Sequence, residues 1–407
     1  MVLSIPMGFV AMYSVDKFGL RTGSYLGTSF NLIGNLLRVF GSLSFLDKTE
    51  RFYITLLGQC IAAIAQPFIM YLPTKLAAYW FPDSQRAIAN TLGSMANPLG
   101  IAVMYATSNL FVNDTHRDNF VLLNGFVALI AVITAILTFL NFFTFGFGPG
   151  VTSVPPTPAS ASSSEATNAL PFFVGFKKAI KSKTFLLLAL ALGGGVGLFN
   201  ALYNNLQPAL CVKGYSDKFS GLMGALLIVS GLIGSAVSGV FVDKTRKFEE
   251  TMKVCFCLAG IAASSLSVSL QHQYVEWWIS LSIFCFGAFG FAIYPIGLEL
   301  GVEVTYPVAE ATSSGILIMV GQIQGVIYLV TTVLLARPAS TDEIRIQKCI
   351  HNDSDADVQN WRDSFIAWNV IVVTLIIISV TFFWPKYRRM QYEQGIRSQN
   401  VPQSSTA

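Results

Sequence analysis

Apolar stretches of about 20 residues recur along almost the whole chain, and this recurrence constrains the fold more than any other feature. A helix needs about 20 predominantly apolar residues to cross the hydrocarbon core of a bilayer. The 407 residues are 53% hydrophobic and 12% charged, and the mean hydropathy is +0.58. A soluble domain normally carries about 25% charged residues. The sequence therefore predicts an all-α integral membrane protein.

Eleven stretches of this chain are apolar and long enough to be predicted as transmembrane helices. They are residues 1–15, 22–45, 52–73, 87–111, 120–146, 184–211, 219–242, 251–271, 276–302, 312–336 and 365–385. Several contain proline, which membrane helices tolerate where neighbouring helices or cavities satisfy the freed backbone groups. Five of the predicted spans come before a long polar segment and six come after it.

The polar segment covers residues 148–183 and is rich in Pro, Ser, Thr and Ala, with four lysines near its end. Such a composition cannot bury a hydrophobic core, so we expect a flexible cytosolic linker. The predicted organisation is an N-terminal half at 1–147, this linker, a C-terminal half at 184–385 and a cytosolic tail at 386–407.

The distribution of Lys and Arg predicts the orientation in the membrane. The linker, the tail and the loop at Asp16–Arg21 fall on one side, which carries more Lys and Arg than the other and is therefore predicted as cytosolic. Two glycosylation sequons, at Asn113 and Asn352, fall on the opposite side. We expect passage through the secretory pathway, with the plasma membrane favoured and an endolysosomal membrane as the alternative.

Several classes of site have no signal in this sequence. The six cysteines lack zinc-type spacing, the three histidines fall in predicted loops, and no catalytic motif such as HExxH is present. Runs of Lys and Arg are too sparse for nucleic-acid binding. We therefore predict no enzymatic activity, no metal and no cofactor. The expected partners are a small-molecule substrate and the lipid bilayer, with the protein as a monomer.

Two predicted cytosolic loops are similar to each other, Asp16–Arg21 (DKFGLR) and Asp243–Lys247 (DKTRK). Two related six-helix halves would place such loops at equivalent positions. The alternative is that any cytosolic hairpin attracts Asp and Lys. The loops resemble the signature G-x-x-x-D-[RK]-x-G-[RK]-[RK] of the major facilitator superfamily, which implies a fold of two helical-bundle halves. The resemblance also implies gating roles for Asp16, Arg21, Asp243 and Lys244.

The same resemblance places the first loop between the second and third helices of the family fold. We therefore expect this chain to begin at the equivalent of helix two, without a counterpart of helix one.

A closer resemblance lies in residues 294–315, YPIGLELGVEVTYPVAEATSSG. This segment is similar to the junction of helices ten and eleven in solute carrier family 49, which includes the feline leukaemia virus subgroup C receptors. Residues 80–82, 93–100 and 242–245 resemble the same family. The similarity extends over nearly the whole chain, and the third branch of the family fits best.

The resemblance implies transport of a small organic solute by alternating access. Family members are linked to choline and ethanolamine, to haem and to a vitamin B6 form. A choline site needs aromatic faces around the quaternary ammonium and a few polar groups for the hydroxyl. Gln322 matches a glutamine of the choline-carrying members, whereas Asn200 and Pro98 stand where those members have Tyr and Gln. A choline-like cation is favoured; the alternatives are haem or a vitamin-like solute, or a transport-inactive receptor or regulatory protein.

Polar residues inside predicted spans are the candidate substrate contacts, because burying them in a bilayer is costly. Gln322 is the preferred substrate contact, and Asn97 is a further candidate. Gln324 should point to a different face of the helix, because it lies two residues from Gln322. The span at 184–211 adds one helical face, with hydrogen bonds between helices as the alternative role. Its candidates are Asn200, Tyr203, Asn204 and Gln207.

Three further polar positions and one acidic pair carry weaker signals. Glu299 and Glu303 share a face near the cytosolic end of their span, where a gate is favoured over a protonatable coupling group. Gln59 and Gln66 are weaker substrate candidates. For Arg38 we expect snorkelling towards the membrane surface.

Overall fold

The computed structural model describes residues 2–82, 84–111, 120–144, 170–348 and 358–392, which are almost entirely helical. The first helices are α1 (Ser4–Gly41), α2 (Lys48–Met70), α3 (Leu72–Trp80), α4 (Arg86–Phe111) and α5 (Phe120–Thr144). They are followed by α6 (Phe172–Lys181), α7 (Lys183–Val212), α8 (Asp217–Thr245), α9 (Phe248–Ser269), α10 (Glu276–Thr305) and α11 (Glu310–Leu335). The last elements are β1 (Arg337–Pro338), α12 (Thr341–Ile346), β2 (Gln359–Asn360) and α13 (Arg362–Phe382).

Within the described residues, eight helical stretches have the length and hydropathy needed to cross a membrane. They are the continuous stretch of α2 and α3, residues 120–140 of α5, and helices α7, α8, α9, α10, α11 and α13. The remaining predicted spans lie in α1 and α4, whose frequent Gly, Ser, Thr and Asn residues lower their hydropathy. The prediction of an all-α membrane protein is confirmed.

Helix α1 covers two predicted spans and is broken at Gly19. This residue has φ 84° and ψ −178°, a conformation outside the helical region. Glycine adopts positive φ without the steric cost that a Cβ would bring. The break falls inside the loop predicted at Asp16–Arg21 and separates the two spans.

The last part of the predicted linker is a helix. Residues 172–181, within the range 148–183 that we expected to be flexible, form α6, whereas residues 145–169 lie outside the described part of the chain. Gly175 and Ala179 are buried on one face of α6, and the ring of Phe176 lies 5.4 Å from that of Phe9. These apolar contacts with α1 stabilise the helix. The polar average composition of residues 148–183 gave no indication of them.

The bundle has two ends that differ in charge. One end brings together Asp16, Lys75, Arg86 and Asp243, and also holds α6 and residues 386–392. We call it the basic end, and the other the far end. Asp16, Asp243, α6 and residues 386–392 belong to segments that the sequence predicted on the cytosolic side, and they lie together at this end of the bundle.

At the far end, α12 and the β1–β2 ribbon are tied to the end of α7. The Lys213 ammonium lies 2.7 Å from Glu343 Oε1, and the Asn360 side-chain amide donates to the same oxygen at 2.8 Å. Burial raises the pKa of Glu343, but hydrogen bonds from Lys213, Ser340 and Asn360 outweigh it and bring the pKa below its ordinary value. Glu343 therefore links α7, α12 and β2.

Helices α7 and α11 approach each other through glycines. A Cβ added to Gly197 would lie only 2.8 Å from the backbone nitrogen of Gly325, and one added to Gly193 would lie 3.0 Å from that of Gly321. Small residues allow membrane helices to pack with their backbones close together. This contact fixes the position of α11 relative to α7.

Candidate functional site

A cavity of about 190 Å³ lies inside the bundle, between helices that precede the gap at 145–169 and helices that follow it. Helices α2 and α4 contribute from one side, and α7, α9, α10, α11 and α13 from the other. The polar side chains of the lining are Gln66, Asn97, Asn200, Tyr203, Tyr294 and Gln322. The cavity is therefore built from both groups of helices.

Aromatic rings form one wall of the cavity. The Phe199 ring stacks on Phe286 with centroids 4.6 Å apart, and its centroid lies 4.5 Å from that of Phe291. Tyr203 extends this cluster, with its ring 6.2 Å from Phe199. The faces of such rings carry partial negative charge and attract a cation.

Two buried oxygens in the cavity lack a hydrogen-bond partner among the described residues, the Tyr203 hydroxyl and Gln322 Oε1. Buried polar atoms in native proteins are nearly always paired, so each such exception needs an explanation. The described lining contains no Asp, Glu, Lys, Arg or His side chain. The polar character of the site therefore rests on neutral groups, and these two oxygens are available to a ligand.

Four of the six predicted substrate contacts line the cavity and two do not. Asn97, Asn200, Tyr203 and Gln322 line it. Asn204 is exposed and donates to the Asn200 carbonyl at 2.7 Å, and Gln207 donates to Asp217 Oδ1 at 2.9 Å. Gln207 shares the rotational position of Asn200, but seven residues place it about 10 Å further along the helix axis.

Gln324 points away from Gln322, as the spacing of two residues predicted. Its side-chain amide is directed at the Ala189 and Leu190 carbonyls of α7, at 3.5 and 3.4 Å, and its oxygen accepts from Tyr328 at 2.7 Å. Gln324 thus serves the packing of α7 against α11, while Gln322 faces the cavity.

Of the weaker candidates, Gln66 lines the cavity and Arg38 does not. Arg38 donates to Asn124 Oδ1 at 3.0 Å and to Asn35 Oδ1 at 3.3 Å. Because the bond to Asn124 connects α1 to α5, Arg38 has a structural partner and does not simply snorkel.

Sequence reasoning missed the aromatic part of the lining. Tyr294, Phe199, Phe286 and Phe291 all line the cavity. With 32 Phe and 14 Tyr in the chain, aromatic residues alone gave no signal. The spacing of Phe199 and Tyr203, one helical turn apart and beside Asn200, was the available indication.

At the far end of the cavity, α4 and α7 are joined by two tyrosines. The Tyr105 hydroxyl donates to the main-chain carbonyl of Tyr203 at 3.0 Å, and the two ring centroids are 6.3 Å apart. Tyr105 lies two turns beyond Asn97 along α4. The pair thus lies on the far-end side of the cavity.

At the basic end, Asp243 of α8 caps the start of α4. Its carboxylate accepts from the backbone N–H groups of Ala87 at 3.1 Å and Ile88 at 2.9 Å. The first N–H groups of a helix have no intrahelical acceptor, and the N-terminus favours negative charge. Lys244, predicted beside Asp243 as a gating residue, is exposed and lies outside these contacts.

Asp16 makes a second connection across the basic end. Its carboxylate lies 3.3 Å from the Lys75 ammonium and also accepts a hydrogen bond from the Thr312 hydroxyl at the start of α11. Arg21, predicted with it, lies over the Tyr25 ring at 5.5 Å. The two loops that resemble each other in sequence therefore both contact the opposite group of helices through their aspartates.

The acidic pair on α10 completes this end. Glu299 Oε1 lies 4.0 Å from Arg86 Nε, with both side chains buried, and Glu303 accepts from the Met390 backbone N–H at 3.1 Å. Arg389 adds an ion pair with Glu310 at 3.8 Å. These buried contacts close the basic end of the bundle. The predicted sequon residues Asn113 and Asn352 lie outside the described residues.

Comparison with known proteins identifies the family. The profile of the Major Facilitator Superfamily matches residues 1–329. Solute carrier family 49 member A3 of Danio rerio is 36% identical over 405 residues, covering 99% of this chain and 81% of that protein. The Xenopus tropicalis protein of the same name is 34% identical, with 97% and 79% covered. The chain belongs to solute carrier family 49.

More distant members and solved structures agree with this assignment. The human choline/ethanolamine transporter FLVCR2 is 28% identical over 81% of this family 49 chain and 62% of its own length. A structure of the xylose transporter XylE superimposes with a TM-score of 0.70 at 12% identity, covering 97% of this chain and 87% of its own. The Escherichia coli fucose:proton symporter gives 0.63 at 14%, with 95% and 88% covered. At such low identity these structures show the fold alone, and the predicted major facilitator fold is confirmed.

Proposed function

We propose that this family 49 transporter carries a small organic cation of the choline or ethanolamine type by alternating access. The observation that carries the proposal is the cavity in which aromatic faces adjoin two unpartnered oxygens. A quaternary ammonium cannot donate hydrogen bonds, but it is attracted to aromatic faces. A hydroxyl on the same molecule can donate to Gln322 Oε1 and accept from the Tyr203 hydroxyl.

The size and chemistry of the cavity favour such a solute over haem. Pockets for drug-sized ligands measure roughly 300–1,000 Å³, whereas this cavity measures about 190 Å³. The described lining also contains no His or Cys side chain, two of the common haem ligands, although Met70 and two tyrosines are present. A neutral vitamin-like ring could stack on the same wall and is the second candidate.

The contacts on either side of the cavity support alternating access. The basic end is closed by Asp16, Asp243 and Glu299, and the tyrosine pair joins α4 to α7 on the far-end side. In transporters of this fold, the two sides open in turn around a central site. The excess of Lys and Arg supports a cytosolic position for the basic end, and we propose the plasma membrane as its location.

The test is uptake of labelled choline by cells expressing the full chain, with two matched pairs of variants. Gln322→Ala should raise KM about fivefold, because a hydrogen bond in a buried site contributes about 1 kcal/mol. Gln207→Ala removes a side chain of the same type outside the cavity and should leave KM within about twofold. In the second pair, Asn200→Ala changes the cavity lining and Asn204→Ala changes an exposed asparagine outside it.

Three outcomes would oppose the proposal. Absence of saturable flux in both directions, with the protein at the surface, favours a receptor. Equal effects in the paired variants would place the site elsewhere. Competition by pyridoxine but not by ethanolamine would favour the vitamin-like solute.

A further inference from the structure

Five cationic side chains gather at one open pocket on the basic end. Four are the exposed lysines of α6 and the start of α7, and the fifth is Arg388, which follows α13. The lining cations are Lys177, Lys178, Lys181, Lys183 and Arg388. Segments about 200 residues apart in sequence thus contribute to a single positive surface.

These five cations have no carboxylate partner in the part of the chain that the structure describes. Residues 170–184 contain no Asp or Glu at all. Two other cations of the basic end do have carboxylate partners, Lys75 with Asp16 at 3.3 Å and Lys253 with Glu249 at 2.6 Å. The positive charge of the pocket is uncompensated among the described residues.

Large apolar side chains lie beside these lysines. Phe173 is 77% exposed and Val174 is 54% exposed, and both line the same pocket. The other face of α6 is occupied, since Gly175 and Ala179 are buried and Phe176 packs on Phe9. A helix with exposed aromatic and basic residues beside a membrane bundle is typical of the bilayer interface.

We propose that this pocket binds the phosphorylated headgroup of an anionic phospholipid in the leaflet at the basic end. Clusters of Lys and Arg next to membrane helices attract such lipids. Arg388 offers a planar fork of donors that matches phosphate oxygens, and the lysines add mobile point charges. Phe173 and Val174 extend into the acyl region, which a soluble phosphate would not require.

A bound headgroup links α6 to the segment that holds the basic end closed. Arg388 directly precedes Arg389 and Met390, which contact Glu310 and Glu303. Helix α6 continues through Ser182, which caps α7, the helix that carries Asn200 and Tyr203. The lipid therefore stabilises the closed arrangement of the basic end.

The test uses the purified full chain in phosphatidylcholine nanodiscs that contain photoactivatable phosphatidylinositol bisphosphate. Cross-linking should map to α6 or residues 386–392 and fall at least tenfold in Lys177→Gln/Lys181→Gln/Arg388→Gln. Each basic residue near the membrane contributes about 1 kcal/mol, which is a factor of about five. The matched control is Lys48→Gln/Lys218→Gln/Arg345→Gln, which removes three exposed cations elsewhere and should keep wild-type cross-linking.

A second variant separates a lipid from a free phosphate. Phe173→Ser/Val174→Ser keeps all five cations and should also lose most of the cross-linking. Three results would overturn the proposal: equal labelling of the triple variant and its control, equal labelling by photoactivatable phosphatidylcholine, or full displacement of the lipid by soluble inositol trisphosphate at comparable concentration.

Discussion

The Tyr105 hydroxyl donates a 3.0 Å hydrogen bond to the carbonyl of Tyr203, the residue whose own hydroxyl lacks a partner in the cavity among the described residues. One residue thus takes part both in the contact between α4 and α7 and in the candidate binding site. A ligand that engages the Tyr203 side chain acts on the same turn of α7 that Tyr105 holds.

Tyr105→Phe should open the far end more often. Losing the hydrogen bond removes about 0.5–1.5 kcal/mol from the closed form, which corresponds to about a twofold to tenfold increase in the open fraction. The measurement is the rate at which a membrane-impermeant thiol reagent labels Asn97→Cys from the far end. The free cysteines Cys60, Cys255, Cys257 and Cys285 are replaced beforehand.

The control for this measurement is Tyr53→Phe, since Tyr53 is 63% exposed on the outside of the bundle. Equal labelling rates in Tyr105→Phe and the unmodified background would show that the tyrosine contact does not limit access.

Substitutions of Tyr203 should separate its ring from its hydroxyl. Tyr203→Phe keeps the ring and should raise KM for choline about fivefold through the lost hydrogen bond. The inhibition constant of tetramethylammonium, which has no hydroxyl, should stay unchanged. Tyr203→Leu removes the aromatic face and should weaken both ligands, because a cation–π contact contributes about 0.5–2 kcal/mol.

Measured uptake and competition curves for the two variants decide this point. If Tyr203→Phe weakened choline and tetramethylammonium to the same extent, the hydroxyl would be stabilising the site and not contacting the substrate.

Asp243→Ala should loosen the basic end. It removes both acceptors from the first turn of α4, and loss of such a helix cap costs about 0.5–2 kcal/mol. Labelling of Gln66→Cys from the basic end, in inside-out vesicles, should become about 2 to 30 times faster. Lys244→Ala changes the neighbouring exposed residue and should leave the rate unaltered; a comparable increase there would argue against the capping role.

The tie between Lys213 and Glu343 should depend on pH. Because the folded state lowers the pKa of Glu343, the carboxylate stabilises the fold above the ordinary value of 4.5, and this contribution is lost as pH falls below it. Glu343→Gln should therefore increase hydrogen exchange in residues 337–348 at neutral pH. The difference from wild type should shrink on acidification.

Asp342→Asn is the matched change, since Asp342 is exposed beside Glu343. A difference between Glu343→Gln and wild type that persisted unchanged at low pH would contradict an electrostatic origin.

The fold was accessible from sequence because long apolar stretches fix where helices cross a membrane. The break at Gly19 also fell within the loop that its Asp and Lys neighbours indicated. Helix α6 was missed because its few apolar residues are diluted by the Pro- and Ser-rich stretch before them. Its packing on α1, for example Phe176 on Phe9, shows why it is ordered.

Part of the candidate site could be predicted from the sequence. The cost of burying Asn97, Asn200 and Gln322 in a bilayer directed attention to them. Helical spacing predicts the direction of a side chain around the helix axis but not whether its position along the axis matches the cavity. Gln207 was therefore grouped with Asn200 although it lies beyond the cavity. The partners of the basic end, such as Arg86 with Glu299, are more than 200 residues apart, and no local pattern pairs them.

The close glycine contact between α7 and α11 bears on selectivity under the proposed alternating access. We expect Tyr203 and Gln322, which these two helices carry, to keep their separation as the protein changes state. Asn97 and Gln66 lie on α4 and α2, which we expect to move relative to that pair. Tyr203 and Gln322 should then contact the solute in the same way from either side of the membrane, while α2 and α4 determine the side from which it enters.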